Sequence, residues 1–364
     1  MDQPRKTSFT LYFTRERKDM TQHIAPDLLS LAYSDKETDE SDELSLTLKD
    51  PYGLWAGTWT PDGGEKIEAY ICDGDVTGAE HSRLYCGKFF VDSLSASGSP
   101  RVLNMRAVSI PLNKPIRRKL KTRAWEKTSL RDIAGAIARE AGMELLYDAQ
   151  ENPVYDRQDQ KRESDLQFLS RLSREMGISL KVTDEKIAMF DQASYEKKTP
   201  VKTLSLKLSP ILSWSFESSQ SEKYKSVTVA YRDPTQKKKG TAAGYNMDLE
   251  KTGGKKSSNP AVMTCTYTDP DANDEWQEYS LKRRAKSVSD AERLAKAKLR
   301  ELNSRSVTGF ISLVGDPALV AGVVVKVAGF GSFDGNFIVQ EAVHNISSGG
   351  YTTSLSLRRV NNNY

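Results

Sequence analysis

The chain is short of the residues that most catalytic chemistry needs. Its 364 residues include three histidines, His23, His81 and His344, and three cysteines, Cys72, Cys86 and Cys265. The histidines lie far apart, and none stands in a metal-ligand spacing such as H-E-x-x-H. An odd number of cysteines without paired spacing does not make a disulfide framework; Cys72 and Cys86 could meet across a hairpin, and the reading preferred is strand thiols kept reduced. No apolar run approaches the ~20 residues of a membrane helix. Met1-Asp2-Gln3-Pro4-Arg5-Lys6 lacks the apolar core of a signal peptide, so the protein is expected to stay in the cytosol or to leave by a route other than a cleaved signal. Neither sign of charge dominates. Lys and Arg total 53 against 49 for Asp and Glu, a net +4, which lacks the concentrated basic character of a dedicated nucleic-acid binder.

Local clusters read as surface. The acidic run Asp35 to Glu43 places Glu40 where a calcium loop of the EF-hand type needs glycine, and it leads into the strand Leu44–Leu48. Arg117-Arg118-Lys119, Lys237-Lys238-Lys239 and Lys282-Arg283-Arg284 read as solvated loops or strand edges. Gly329-Phe330-Gly331-Ser332-Phe333-Asp334-Gly335 resembles a phosphate loop in composition. A strand follows it where phosphate binding requires a helix N-terminus, so it predicts a hairpin turn. No Gly-x-Ser-x-Gly elbow is present. The expectation is no catalytic, cofactor-binding or metal-binding residue, with His344 a structural histidine at a strand end.

What is present is a repeat. Gly87-Lys88-Phe89-Phe90-Val91 matches Gly335-Asn336-Phe337-Ile338-Val339. A second strand follows each: Leu103-Asn104-Met105-Arg106-Ala107-Val108 and Leu355-Ser356-Leu357-Arg358-Arg359-Val360. A fainter match precedes both, Gly64-Glu65-Lys66-Ile67 against Gly322-Val323-Val324-Val325. The shared order, and an arginine after Leu-x-Φ in each copy, point to duplication of one β module. The separation is too long for a solenoid repeat.

Between the copies the periodicity changes. Leu130, Ile133, Ala134, Ile137, Ala138 and Ala141 fall at helical spacing, with Thr128 or Ser129 to cap the start and Gly142 to close it. A second helix is predicted from Ser164 with Gln167 completing a capping box and Gly177 ending it. A third is predicted from Ser289 with Glu292. The fold class is therefore mainly β with an α+β insert, the short strands and polar turns of the β parts suggesting an antiparallel barrel or sandwich. The boundaries are 1–115, 116–200 and 201–364. The last unit carries a Lys/Gly-rich insertion at about 233–285, with an exposed loop between Asp233 and Asn259, and a helix at about 289–303.

Several ordered motifs carry a family resemblance along nearly the whole chain. They are Pro26-Asp27-Leu28-Leu29-Ser30-Leu31-Ala32-Tyr33, Glu40 to Asp50, Trp59-Thr60-Pro61-Asp62-Gly63, Gln160 to Leu172 ending at Glu175-Met176-Gly177, Gly315-Asp316-Pro317, Ala321-Gly322, Val343-His344 and Gly350-Tyr351-Thr352-Thr353. Together they resemble the late control protein D, or baseplate hub, family of contractile phage tails, whose module also forms the amino-terminal part of type VI secretion spike proteins. The resemblance implies two related tube-type antiparallel β-barrel domains with a small α+β domain between them, in a structural homotrimer of a contractile injection system that joins the hexameric tail tube protein to a trimeric spike among other baseplate proteins. It implies assembly in the bacterial cytoplasm and a virion or tail-particle location, with no catalytic residues to carry over. Since the sequence stops at Tyr364, after the second β unit, the spike is expected to be a separate protein. A lumen passing DNA or tape-measure protein would be acidic or neutral. Duplication suits this role independently, because two similar modules per subunit let a three-fold ring present six similar surfaces.

Two readings from other classes compete. A tail-associated cell-wall-degrading enzyme would use a carboxylate pair, with Glu163 and Asp165 the candidates, although negative charge there also suits a helix start. A carbohydrate-binding β protein would need an aromatic platform, and Trp55, Trp59, Trp214 and Trp276 are scattered.

Overall fold

The computed structural model describes all residues except 1–4, 14–17, 39–40, 62–63, 76–79, 111–114, 184, 220, 222, 233–261, 286 and 362–364. The predicted Lys/Gly-rich loop lies outside the described residues. The first part of the chain holds β1 (Arg5–Phe13), β2 (Lys18–Asp19), α1 (Thr21–Ile24), β3 (Leu28–Lys36), β4 (Glu43–Lys49), β5 (Lys66–Asp75), β6 (Glu80–Ser97) and β7 (Val102–Val108). The middle holds α2 (Pro115–Arg118), β8 (Lys121–Ser129), α3 (Leu130–Glu140), β9 (Glu144–Asp148), β10 (Val154–Glu163), α4 (Asp165–Met176), β11 (Ile178–Val182), β12 (Lys186–Asp191) and α5 (Gln192–Glu196). The last part holds β13 (Lys202–Ser205), β14 (Ile211–Ser218), β15 (Tyr224–Arg232), β16 (Val262–Thr268), β17 (Gln277–Ala285), α6 (Val288–Asn303), β18 (Val307–Val314), β19 (Val324–Ala328), β20 (Gly335–Ser347) and β21 (Gly350–Arg359).

The predicted repeat is present as topology. The first unit runs β3-β4-β7-β6-β5, and the second runs β14-β18-β21-β20-β19. All of these neighbours are antiparallel. Irregularities repeat as well. One extra residue interrupts β6 between Val91 and Ser93, and another interrupts β20 between Val339 and Glu341. A further pair of bulges sits at Leu29 in β3 and Leu212 in β14. Such bulges bend a strand at a fixed place, so their coincidence fixes the equivalence of the two units. The glycines before β5 and β19 match too. Gly64 and Gly322 have φ of 85° and 82°, and each donates its N–H to the carbonyl of the equivalent valine, Val91 or Val339, at 2.8 Å.

The register corrects one sequence match. Phe90 faces Val108, and Ile338 faces Arg358. Arg358 is therefore equivalent to Val108, and Arg106 to Ser356. The shared arginine of the sequence comparison arises from a two-residue slip, which keeps side chains on the same faces and so preserves the apolar alternation.

Among the described residues the two expected tube-type barrels do not close. Both units lie in one 13-stranded sheet joined where β20 pairs with β3. Each unit curls around its own apolar cluster without closing. The first cluster holds Leu11 of β1 together with Leu31 of β3, strands at opposite ends of that unit. The second holds Leu204, Ile311, Phe337 and Leu357.

The inserted layer is larger than residues 116–200. Its core joins Ile133, Leu169 and Met189 to Val227, Val229, Leu294 and Leu299. The three-stranded sheet β16-β15-β17 and α6 thus share a core with the middle of the chain, not with the β unit that flanks them. Helix starts follow local chemistry. Ser129 caps α3, and Ser164 with Gln167 forms the predicted capping box of α4, which ends at Gly177 with φ 68°. α6 starts earlier than predicted. Ser287 is extended and its side chain accepts from Asp290 N, so it, rather than Ser289, is the cap. Gly329 to Gly335 forms the predicted turn, with a 3-10 segment at Gly331–Phe333 leading into β20.

Candidate functional site: the junction between the two units

Where β20 meets β3 the two units become one sheet, from Glu341 opposite Lys36 to Ser347 opposite Ser30. Alternation in β20 sends Ala342, His344 and Ile346 inward. Ile346 is directly opposite Leu31 and sits with Tyr351 in the cluster of the other unit. Ser34 Oγ donates to Glu341 Oε1 across the junction at 2.6 Å.

His344 is fully buried and stacks on Tyr33 of the first unit, with ring centroids 5.9 Å apart. Its Nδ1 lies 2.8 Å from Tyr351 Oη and 3.3 Å from Thr353 Oγ1. Thr353 Oγ1 also accepts from Asp316 N at 2.9 Å. The Tyr351 ring covers Gly315, where an added Cβ would fall 2.0 Å from the ring. Burial pushes the imidazole pKa down to about 4, against the pull of Asp35 and Asp316. The structural role expected for His344 is thus that of a neutral packing residue.

Charges fasten the inserted layer to this junction. Lys181 Nζ on β11 reaches Asp35 at 2.6 Å, Asp42 at 3.3 Å and the carbonyl of Lys36 at 2.9 Å. Asp35 Oδ2 accepts from Ala321 N of the second unit at 2.9 Å. Burial raises Asp42 to about 6, offset in part by Lys181. Beside it, Glu196 on α5 lies 2.5 Å from both Arg358 of β21 and Arg300 of α6. Arg358 continues to Glu37 at 3.4 Å. Burial raises Glu37, with Arg358 acting against it.

The candidate carboxylates are engaged elsewhere. Asp165 is buried and held by Lys121 at 2.5 Å, Arg123 at 2.9 Å and Gln160 at 3.0 Å. Glu163 pairs with Arg171 at 2.7 Å. Both stand at the start of α4, as the helix-start reading has it. Of the tryptophans, Trp55 and Trp59 meet edge to face at 5.2 Å, and Trp55 Nε1 donates to Asp27 at 2.9 Å. Trp214 lies instead beside Phe330, and Trp276 beside Lys223. His23 packs against Trp59, and His81 falls on β6 with its side chain outside the described residues. Cys72, Cys86 and Cys265 form no disulfide among the described residues. Among the described residues no group of three His, Cys, Asp or Glu is placed to hold a metal ion, and no helix is long and apolar enough to cross a membrane.

The sequence comparison missed a further match. Leu28-Leu29-Ser30-Leu31-Ala32-Tyr33 of β3 is equivalent to Ile211-Leu212-Ser213-Trp214-Ser215-Phe216 of β14, bulge included. The alternation and the shared Leu-Ser were available to find it. β3 is covered by β20, whereas the outer side of β14 forms one end of the sheet path. Leu31 is accordingly 1% exposed and its equivalent Trp214 is 48% exposed.

Comparison with known proteins places these features. Residues 111–350 match the family model described as phage tail baseplate hub (GPD). The probable baseplate hub protein of Escherichia phage 186 is 25% identical, with 94% of this chain and 91% of that protein aligned. A 43 kDa prophage tail protein from Shewanella oneidensis has a similar fold, with a TM-score of 0.71 at 12% identity, over 97% of this chain and 98% of that one. An Escherichia coli component of the type VI secretion system is similar with a TM-score of 0.57 at 13% identity, over 93% of this chain and 75% of that one.

Proposed function

As a member of the phage tail baseplate hub (GPD) family, the chain is a structural component of a phage tail baseplate, and we propose that it acts as the trimeric adaptor between a hexameric tail tube and a trimeric spike. The family is structural and not enzymatic. One observation carries the finer reading: two units with the same strand order and the same two bulges, joined edge to edge in one sheet. Three copies would then present six similar units to the tube on one face and a three-fold surface to the spike on the other. Curled sheets completed by neighbouring subunits would take the place of two closed barrels, removing exposed edges. The division into two β units and one inserted layer belongs to the same reading, as does assembly in the bacterial cytoplasm before incorporation into the virion.

Stoichiometry tests it. The chain mixed with a cognate tube protein and spike protein, and weighed as an intact complex, is expected to contain three copies between a tube ring and a spike. A complex with one or six copies, or no association with either partner, would overturn the adaptor reading.

A further inference from the structure

We infer that the inserted layer is a hinged body, latched to the 13-stranded sheet by buried charge and held more tightly in mild acid than at neutral pH.

Apolar packing stops at the seam between them. Among the described residues, the apolar cluster of the layer shares no residue with the clusters of the sheet. Polar side chains cross instead, and on the layer they come from one strip between Lys181 and Glu196. Lys181 reaches Asp35, Asp42 and the Lys36 carbonyl. Glu185 reaches Lys88 at 2.5 Å, Gln192 donates to Glu37 at 3.3 Å, and Glu196 pairs with Arg358. A cleft of about 220 Å³ enters the seam, lined by Lys88 and Ser109 on one side and Thr183 and Lys186 on the other. Ser109 Oγ is buried there without a hydrogen-bond partner among the described residues.

The connections suit a hinge. The chain passes between sheet and layer after β7, before β13, after β14 and before β18. At the last two crossings Ser219 N donates to Ser306 O at 2.9 Å, so the two passages run side by side. Each body keeps its own apolar core when the seam parts. Buried ion pairs gain little over solvated ions, so the closed and open arrangements lie close in free energy.

The acidic run Asp35 to Glu43, read from the sequence as surface, supplies the latch. Asp35, Glu37 and Asp42 are buried. With Glu196 they set four carboxylates against three cations, Lys181, Arg300 and Arg358. The other groups facing them add no charge near neutral pH. Burial keeps the Tyr33 hydroxyl and the Cys86 thiol protonated and the His344 imidazole neutral. Asp316, behind His344, pairs with Lys202, and Lys186 at the cleft pairs with Glu144.

One proton relieves the imbalance. Burial raises Asp42 to about 6, with Lys181 acting against it and Asp35 adding to it. In the open form Asp42 returns toward its ordinary 3.8. A carboxyl whose pKa is higher in the closed form favours closure as pH falls. From pH 7.5 to 5.5 the closed form gains about four-fold from this group.

Ser179 reports on the seam. It is buried on the face of β11 that carries Lys181, away from the core residues Ile178, Leu180 and Val182. Full-length chains carrying Ser179→Cys, or Ala138→Cys in the core of the layer, are labelled with N-ethylmaleimide. Labelling is followed peptide by peptide, relative to glutathione at the same pH. The Ser179→Cys site is expected to label at least about ten-fold faster than the Ala138→Cys site, and about four-fold slower at pH 5.5 than at pH 7.5. Asp42→Asn keeps the oxygen that accepts from Lys36 N. Added to Ser179→Cys, it is expected to slow labelling at pH 7.5 and to remove the pH dependence. Equal labelling of the two sites would show that the seam parts only when the layer unfolds. Labelling of the Ser179→Cys site that ignores both pH and Asp42→Asn would show that charge does not set the latch. Either result overturns the inference.

Discussion

His344 shows how a residue scarce in the sequence acquires a role through burial. It titrates in isolation near pH 6.5 and in the folded chain near pH 4. Between those values the unfolded chain takes up a proton that the folded chain refuses. Stability from this site is therefore fully present above about pH 6.5 and falls as pH drops toward 4. The loss between pH 7 and 4.5 is on the order of 2–3 kcal/mol. Urea unfolding of the parent and of His344→Asn at both pH values checks this. The parent is expected to lose more stability than the variant on acidification, while Asp42 titrates in both and cancels. Equal losses would mean that the imidazole is already accessible to protons. The sequence placed His344 at a strand end with a structural role, but its partners Tyr33 and Tyr351 come from both units, and only the register reveals them. The supposed equivalence of Arg106 and Arg358 failed for a related reason. Alternating strands match themselves after a two-residue slip, and the bulges that forbid the slip carry no distinctive residue type.

Among the elements, those with local chemistry were legible. Ser164, Gln167 and Gly177 mark the ends of α4 through hydrogen bonds made within a few residues. β8 and β10 were missed because they form a largely exposed ribbon held by polar contacts, including Arg157 with Glu126 at 3.1 Å and Arg123 over Trp125, so they lack the apolar alternation that signals a strand. The place of α6 was also hidden. Its apolar stripe was evident, but its partner core lies in the middle of the chain. Glu196 ties these elements together, joining α5, α6 and β21. Glu196→Gln would leave two buried or nearly buried guanidinium groups short of a counter-charge. The expected cost is about 3–5 kcal/mol, as for other broken buried pairs, read from the denaturation midpoint at neutral pH. A change below about 1 kcal/mol would show that solvent reaches the cluster and screens it.

The whole molecule is organised by repetition. Two curled β units share one sheet, and the inserted layer packs beside their junction through Lys181 and Glu196. The family motifs recognised in the sequence converge in space. Gly315, Asp316, His344, Tyr351 and Thr353 meet at one junction, and the motif residues Asp27, Asp50 and Trp59 meet around Trp55 at one end of the first unit. That convergence explains why the resemblance could be read from scattered short segments. The central claim is that two similar units per chain let three copies present six similar units in one ring. Electron-microscopic density of the assembled hub tests this most directly. The account predicts a three-fold particle with six similar lobes around a channel. Density in which the two units of a chain point to different axes would contradict it.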